Sequence, residues 1–261
     1  VSTSAPEPGE TLRIEGSTTV GPIAAAFADA FRGKDKTSDI SVKHAGSGDG
    51  AAALVEGRCD IAMMSRMMKE NEYRRAVENG VRPVCHAIAI DGVAVVVNEG
   101  NPVDGLSIEQ VRKIYTGEIR NWKDLGGRDE PIVAVSRDAS SGTFETFCGL
   151  VMNKERMGAD IEYAIAGSPG ARAKTAKGAI GYVGLAFVGK SLKALKINGV
   201  KPTAGTVRTG AYPISRRLYL WTNGQPGLGS LAHRFVTFHL TREGQDIIED
   251  KGFIPVTAYR E

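Results

Sequence analysis

Apolar positions along the chain come in short runs that switch between two periods. LRIE (12–15) and DISVKHA (39–45) read as strands, and PIAAAFADAFRG (22–33) carries apolar residues at helical spacing up to a stop at Gly33. AAALVEG (51–57) predicts a short helix, DIAMMS (60–65) a strand, and KENEYRRAVENG (69–80) a polar-faced helix closing on Asn-Gly. VCHAIAI (84–90) and VAVVVN (93–98) together form one long β-rich stretch. This alternation of strand and helix predicts a parallel or mixed sheet covered by helices on both faces.

The pattern then restarts. IEQVRKIYTG (108–117) predicts a helix with a glycine stop, PIVAVS (131–136) a strand, and 141–153 a helix. AIGYV (179–183) and ALKI (194–197) read as strands, followed by PISRRLYLW (213–221), an amphipathic helix over 228–240 and a last helical segment from Gly244. No internal repeat is evident. The architecture expected is α/β, with two lobes and the 84–98 stretch as a strand crossing between them.

Composition narrows the function classes. Of 261 residues, 42% are hydrophobic and 24% charged, which suits a packed core. No apolar run approaches the ~18–20 residues of a membrane-spanning helix. Lys and Arg number 33 against 30 Asp and Glu, a net charge of +3, too balanced for a dedicated nucleic-acid binder but compatible with a small anion. Three cysteines without a C-x-x-C pair provide neither a disulfide scaffold nor a zinc site. Residues 1–10, VSTSAPEPGE, lack apolar periodicity and read as a flexible leader. Such leaders follow a removed signal peptide or tether a domain to a membrane surface.

One local pattern recurs: a strand ends, a Gly/Ser/Thr loop follows, and a helix begins. It occurs at GSTTVGP (16–22), GSGDG (46–50) and SRDASSGTF (136–144), with a related Ser65-Arg66 at the end of strand 60–65. A helix N-terminus offers unpaired N–H groups and partial positive charge, glycine admits close approach, hydroxyls add donors, and arginine adds a planar fork. Each loop alone reads most simply as ordinary helix capping. Three of them meeting in one cleft would hold a tetrahedral oxyanion.

GSTTVGPI (16–23), GSGDG (46–50), DIAMMSR (60–66), SRDASSGTFETF (136–147), AIGYVG (179–184) and EGQDIIEDKGFIPV (243–256) resemble, in order, segments of the substrate-binding proteins of bacterial phosphate ABC transporters. The likeness is to the shorter variety and covers the chain from Thr11 onward. It implies a type II periplasmic-binding-protein fold, each lobe a mixed sheet flanked by helices, closing on phosphate at the interlobe cleft. The expected lobes are 11–92 plus 190–261, and 93–189. The phosphate ligands carried over are Ser17, Thr18, Thr19, Ser47, Ser65, Arg66, Arg137, Ser141, Gly142 and Thr143. Longer members carry an Asp at the position of Arg66, where it accepts the proton of monohydrogen phosphate. Here Arg66 is expected to add charge, leaving Asp49 and Asp138 as candidate acceptors. The family often has a carboxylate two residues after the loop arginine. Ala139 stands there, leaving Asp138 as the candidate partner of Arg137.

The resemblance further implies an extracytoplasmic protein, possessing or lacking a lipid anchor. It would act as a monomer, with inorganic phosphate and a membrane permease as partners and no nucleic acid, metal or cofactor. No chemistry is expected of it. The alternatives are a binding protein or sensor for another tetrahedral oxyanion (sulfate, arsenate) and, more remotely, a phosphate-processing enzyme.

Other motifs carry less. GLAFVGKS (184–191) fits the P-loop spacing, but its interior is apolar and LKALKI after it alternates like a strand. GSGDGA (46–51) fits a dinucleotide fingerprint only loosely, with Glu70 as the ribose contact. There is no G-x-S-x-G elbow, and His44, His86, His233 and His239 lie outside the serine-rich loops. His44 reads as a structural strand histidine. Met63-Met64 and Met67-Met68 read as core. Cys59 and Cys85 sit near strand starts and read as free thiols unless those strands are close. Arg74-Arg75 and Arg216-Arg217 read as solvated faces.

Overall fold

In the computed structural model the described residues are 10–34, 36–153, 155–164 and 169–257, so nearly all of the expected leader lies outside them. The first part of the chain runs β1 (Thr11–Ser17), α1 (Gly21–Lys34), β2 (Asp39–Ala45), α2 (Ser47–Val55), β3 (Ile61–Met64), α3 (Glu70–Glu78) and β4 (Pro83–Asn98). It continues through β5 (Gly105–Leu106), α4 (Ile108–Thr116), β6 (Val133–Arg137), α5 (Gly142–Phe147), β7 (Glu162–Ala164), α6 (Pro169–Thr175) and β8 (Ala179–Gly184). The last part comprises β9 (Leu192–Ala194), β10 (Lys196–Ile197), α7 (Ala204–Arg208), β11 (Ser215–Asn223), α8 (Leu231–Thr237), α9 (Arg242–Asp250) and β12 (Ile254–Pro255).

Among the described residues two compact units emerge: one draws on 10–88, 219–248 and residue 257, the other on 89–218 and 249–256. In the first unit the strand order is β2-β1-β3-β11-β4. β1 is parallel to both β2 and β3, and β11 is antiparallel to β3. The parallel strands therefore present their carboxyl ends at one edge, where open α/β sheets bind ligands. The core of this unit buries Leu54, Met64 and Trp221. A second packing centre sets Phe27 and Phe31 edge-on or tilted against Phe235 and Phe238.

The second unit has the order β4-β8-β6-β7, with β9 and β12 also paired to β4. β6 is parallel to β8 and β7, and β4 is antiparallel to β8. Its core joins Val93, Val95 and Val97 of β4 to Tyr115, Phe147 and Tyr182. The mixed α/β architecture read from the periodicities is present in each unit.

Three expectations are corrected. Residues 190–218, expected with the first lobe, pack in the second unit, because Leu195, Ile197, Val207, Tyr212 and Ile214 are buried in its core. The helix expected over 51–57 begins at Ser47, so the glycine loop forms its first turn. The helix expected over 141–153 is α-helical only to Phe147 and winds on as a π-helical turn over Cys148–Met152. The apparent P-loop is a strand end followed by a single 3-10 turn at Leu185–Phe187.

Candidate functional site

The first unit collects hydroxyls at the carboxyl edge of its parallel strands. Ser17 closes β1, and its Oγ accepts from the N–H groups of Thr19 (3.2 Å) and Val20 (3.4 Å), capping the entry to α1. Thr18 is half-buried in that turn and Thr19 is buried. Ser47 begins α2 and is fully buried; its Oγ accepts from the Ser65 N–H at 3.0 Å and lies 3.3 Å from Ser65 Oγ. The structure thus joins the second loop directly to the end of β3.

Two glycines allow this. Gly16 has φ +134, and a Cβ there would meet the Met63 carbonyl oxygen at 2.3 Å. A Cβ on Gly50 would meet the Glu15 oxygen and Gly16 Cα at 3.0 Å. The α2 backbone therefore lies against β1 with no room for a side chain, which sets the helix start beside the strand ends.

Two residues expected at the site are engaged otherwise within this unit. Arg66 is buried and pairs through both terminal nitrogens with the Glu72 carboxylate, at 2.7 Å each, while Nη1 also donates to the Met67 carbonyl. The expectation that Arg66 adds charge is corrected: Glu72, in the first turn of α3, neutralises it. Asp49 is exposed and accepts the Gly46 N–H at 2.8 Å, a capping contact at the start of α2.

In the second unit the donors share one turn after β6. Arg137 ends the strand, and its backbone N–H donates to the Tyr182 hydroxyl, which lies 2.7 Å from Ser136 Oγ. Tyr182 is held by stacking on Phe147 with ring centroids 4.0 Å apart. Burial raises the Tyr182 hydroxyl well above its ordinary pKa, so it remains a neutral support. Arg137 Nε is buried without a hydrogen-bond partner among the described residues and stands 3.6 Å from Asp138 Oδ2.

Asp138 is in turn held by Ser140, whose N–H and hydroxyl both donate to Oδ1. Burial raises the Asp138 carboxyl, but these bonds and Arg137 outweigh it and hold the group below the ordinary carboxylate range. Ser141 caps α5, accepting from the Phe144 N–H, and Gly142 and Thr143 form the first helical turn; all three are buried.

Four supporting residues escaped the sequence reading: Glu72, Tyr182, Asp91 and Arg216. Arg216, read as part of a solvated face, is buried. Its Nε and Nη2 donate to Asp91 Oδ2 at 3.0 and 2.8 Å, and its Nη1 donates to Thr143 Oγ1 at 2.9 Å. Alternation along β11 carries the signal, since Arg216 falls on the same face as buried Leu218 and Leu220 while Arg217 is exposed.

The remaining motifs take structural places. His44 is exposed, not a buried strand histidine, and its ring lies against Gly21 at the start of α1. Met63, Met64 and Met68 are buried, whereas Met67 is exposed. Cys59, Cys85 and Cys148 are free thiols.

Comparison with known proteins places this geometry in a family. Residues 2–243 match the PBP superfamily domain. The phosphate-binding protein PstS of Bacillus subtilis is 34% identical over 257 residues, spanning 95% of this chain and 81% of that protein. The crystal structure of a candidate phosphate ABC transporter substrate-binding protein with bound phosphate, from Clostridium perfringens, superposes with a TM-score of 0.86 at 34% identity, covering 95% of this chain and 100% of that one. An ABC-type phosphate transport receptor from Vibrio cholerae gives a TM-score of 0.78 at 29% identity over 93% of this chain and 99% of that one. The family match over residues 2–243 and the similarity to PstS over almost the whole length agree: the chain belongs to the PBP superfamily and, within it, to the family of the phosphate-binding protein PstS.

Proposed function

We propose that the protein binds inorganic phosphate and delivers it to the membrane permease of an ABC transporter, outside the cytoplasm and without making or breaking a bond. Each unit carries a donor set suited to an anion. Ser17, Thr18, Thr19, Ser47 and Ser65 supply hydroxyls and backbone N–H groups from the first. Arg137, Ser141, Gly142 and Thr143 supply the guanidinium and the first helical turn of α5 from the second. The observation that carries this reading is Arg137, whose buried Nε lacks a hydrogen-bond partner among the described residues and which precedes the Ser141–Thr143 turn in the same loop. A buried guanidinium gains most from a charged acceptor, and a tetrahedral oxyanion meets it with several oxygens at once.

Arg66 contributes no uncompensated charge, because Glu72 holds it. Asp138 is the better placed of the two acidic candidates for receiving a phosphate proton: it is half-buried on the same turn as Arg137, while Asp49 caps α2.

Titration calorimetry with phosphate and with sulfate across a range of pH tests the proposal. Phosphate is expected to bind one per chain and more tightly than sulfate. Tighter binding of sulfate would overturn it in favour of a receptor for a fully ionised anion.

A further inference from the structure

The buried pair Asp91–Arg216 does more than fill the core of the second unit. Arg216 sends two nitrogens to one carboxylate oxygen of Asp91, and its remaining terminal nitrogen to Thr143 Oγ1 at 2.9 Å. Asp91 Oδ1 accepts the Leu185 N–H at 3.1 Å, which fixes the carboxylate from the other side. Both ionic side chains are almost completely buried, at 4% exposure for Arg216 and 1% for Asp91. A guanidinium has donors only. The Thr143 oxygen must therefore accept from Arg216, and the threonine's own hydrogen is directed elsewhere. Asp91 cancels the arginine's charge at close range, so what Arg216 delivers to Thr143 is orientation rather than net positive potential.

We infer that Arg216, held by Asp91, is a positioning residue that fixes the Thr143 hydroxyl as a hydrogen-bond donor toward the bound anion. The inference rests on the proposed phosphate reading and deepens it by adding a specificity element. A hydroxyl locked as a donor favours an unprotonated oxygen at that point of the ligand, and leaves the phosphate proton to be received by a different group. The arrangement also separates the two arginines near the turn by role: Arg137 faces the ligand as charge, while Arg216 acts through another side chain.

A double-mutant cycle read by phosphate titration tests this. Asp91→Asn/Arg216→Met removes both charges together, avoiding a lone buried charge, and retains an oxygen for the Leu185 N–H. In the wild-type background this pair of changes is expected to weaken phosphate binding about three- to tenfold, and the same loss is expected with Thr143→Ser, which keeps the hydroxyl. In the Thr143→Val background the loss should shrink to less than about twofold, because no hydroxyl remains to orient. Equal losses with Thr143 and with Thr143→Val would overturn the inference and assign Arg216 to charge or folding alone. If the double variant fails to fold by circular dichroism, Arg216→Lys, with a single nitrogen in place of the three that the fork uses, replaces it in the same cycle with the same two outcomes. Absence of phosphate binding by the wild type would overturn the underlying reading and this inference with it, whereas wild-type binding with additive losses overturns this inference only.

Discussion

Asp138 shows how a single side chain sets the character of the third loop. Its carboxylate is tied by Ser140 and lies near Arg137, so its proton is released more readily than from an ordinary carboxylate despite partial burial. A group whose folded pKa is depressed contributes stability that is present above its unfolded value and is lost as pH falls through the folded value. The difference in urea stability between the wild type and Asp138→Asn is therefore expected to be constant near neutral pH and to close as the pH drops below about 4, the ordinary range for Asp. A difference that stays flat down to pH 2 would show that the carboxylate is not held by its neighbours. At this scale the sequence singled out the candidate donors but not their supports. Ser47, Arg137 and Ser141 stand out as polar residues in glycine-rich loops. Arg216 looked like surface because it is followed by another arginine, although β-strand alternation sets the two on opposite faces. Glu72 lies in a polar helix, where nothing in the local pattern singles out the carboxylate that captures Arg66.

The strands and helices that carry the donors were legible wherever apolar residues kept a period. β2 falls on residues 39–45 as read, and the two apolar runs at 84–90 and 93–98 join into the 16-residue β4. The start of α2 was not legible, because GSGD contributes no apolar residue to the helical stripe and reads as a loop. Tertiary contact decides it: Gly16 and Gly50 let α2 lie against β1, and the helix extends back to Ser47. Gly16→Ala is accordingly expected to destabilise the protein by about 2–3 kcal/mol, since a methyl group would sit 2.3 Å from a backbone oxygen at a positive φ. Gly57→Ala shares the positive φ but meets nothing within 4 Å, and should cost less. Urea unfolding of the two variants measures the difference; equal losses would mean that the close approach of α2 to β1 has no energetic weight.

For the whole molecule, the α/β class and two-part organisation followed from the restarting strand–helix pattern, while the limits of the parts did not. Residues 190–218 alternate like any strand-and-turn segment, and only packing of Leu195, Val207 and Tyr212 against β4 and its neighbours assigns them to the second unit. The functional account makes its strongest claim at this scale, that each unit carries groups on which phosphate affinity depends. Titration calorimetry of phosphate into the wild type, Ser47→Ala and Arg137→Ala tests it most directly. The account predicts one phosphate per wild-type chain, with binding weakened by about 1.5–3 kcal/mol in Arg137→Ala and by about 1 kcal/mol in Ser47→Ala, the scales of charge-assisted and neutral hydrogen bonds. Unchanged affinity in either variant would contradict it, by removing one of the two units from the binding of the anion.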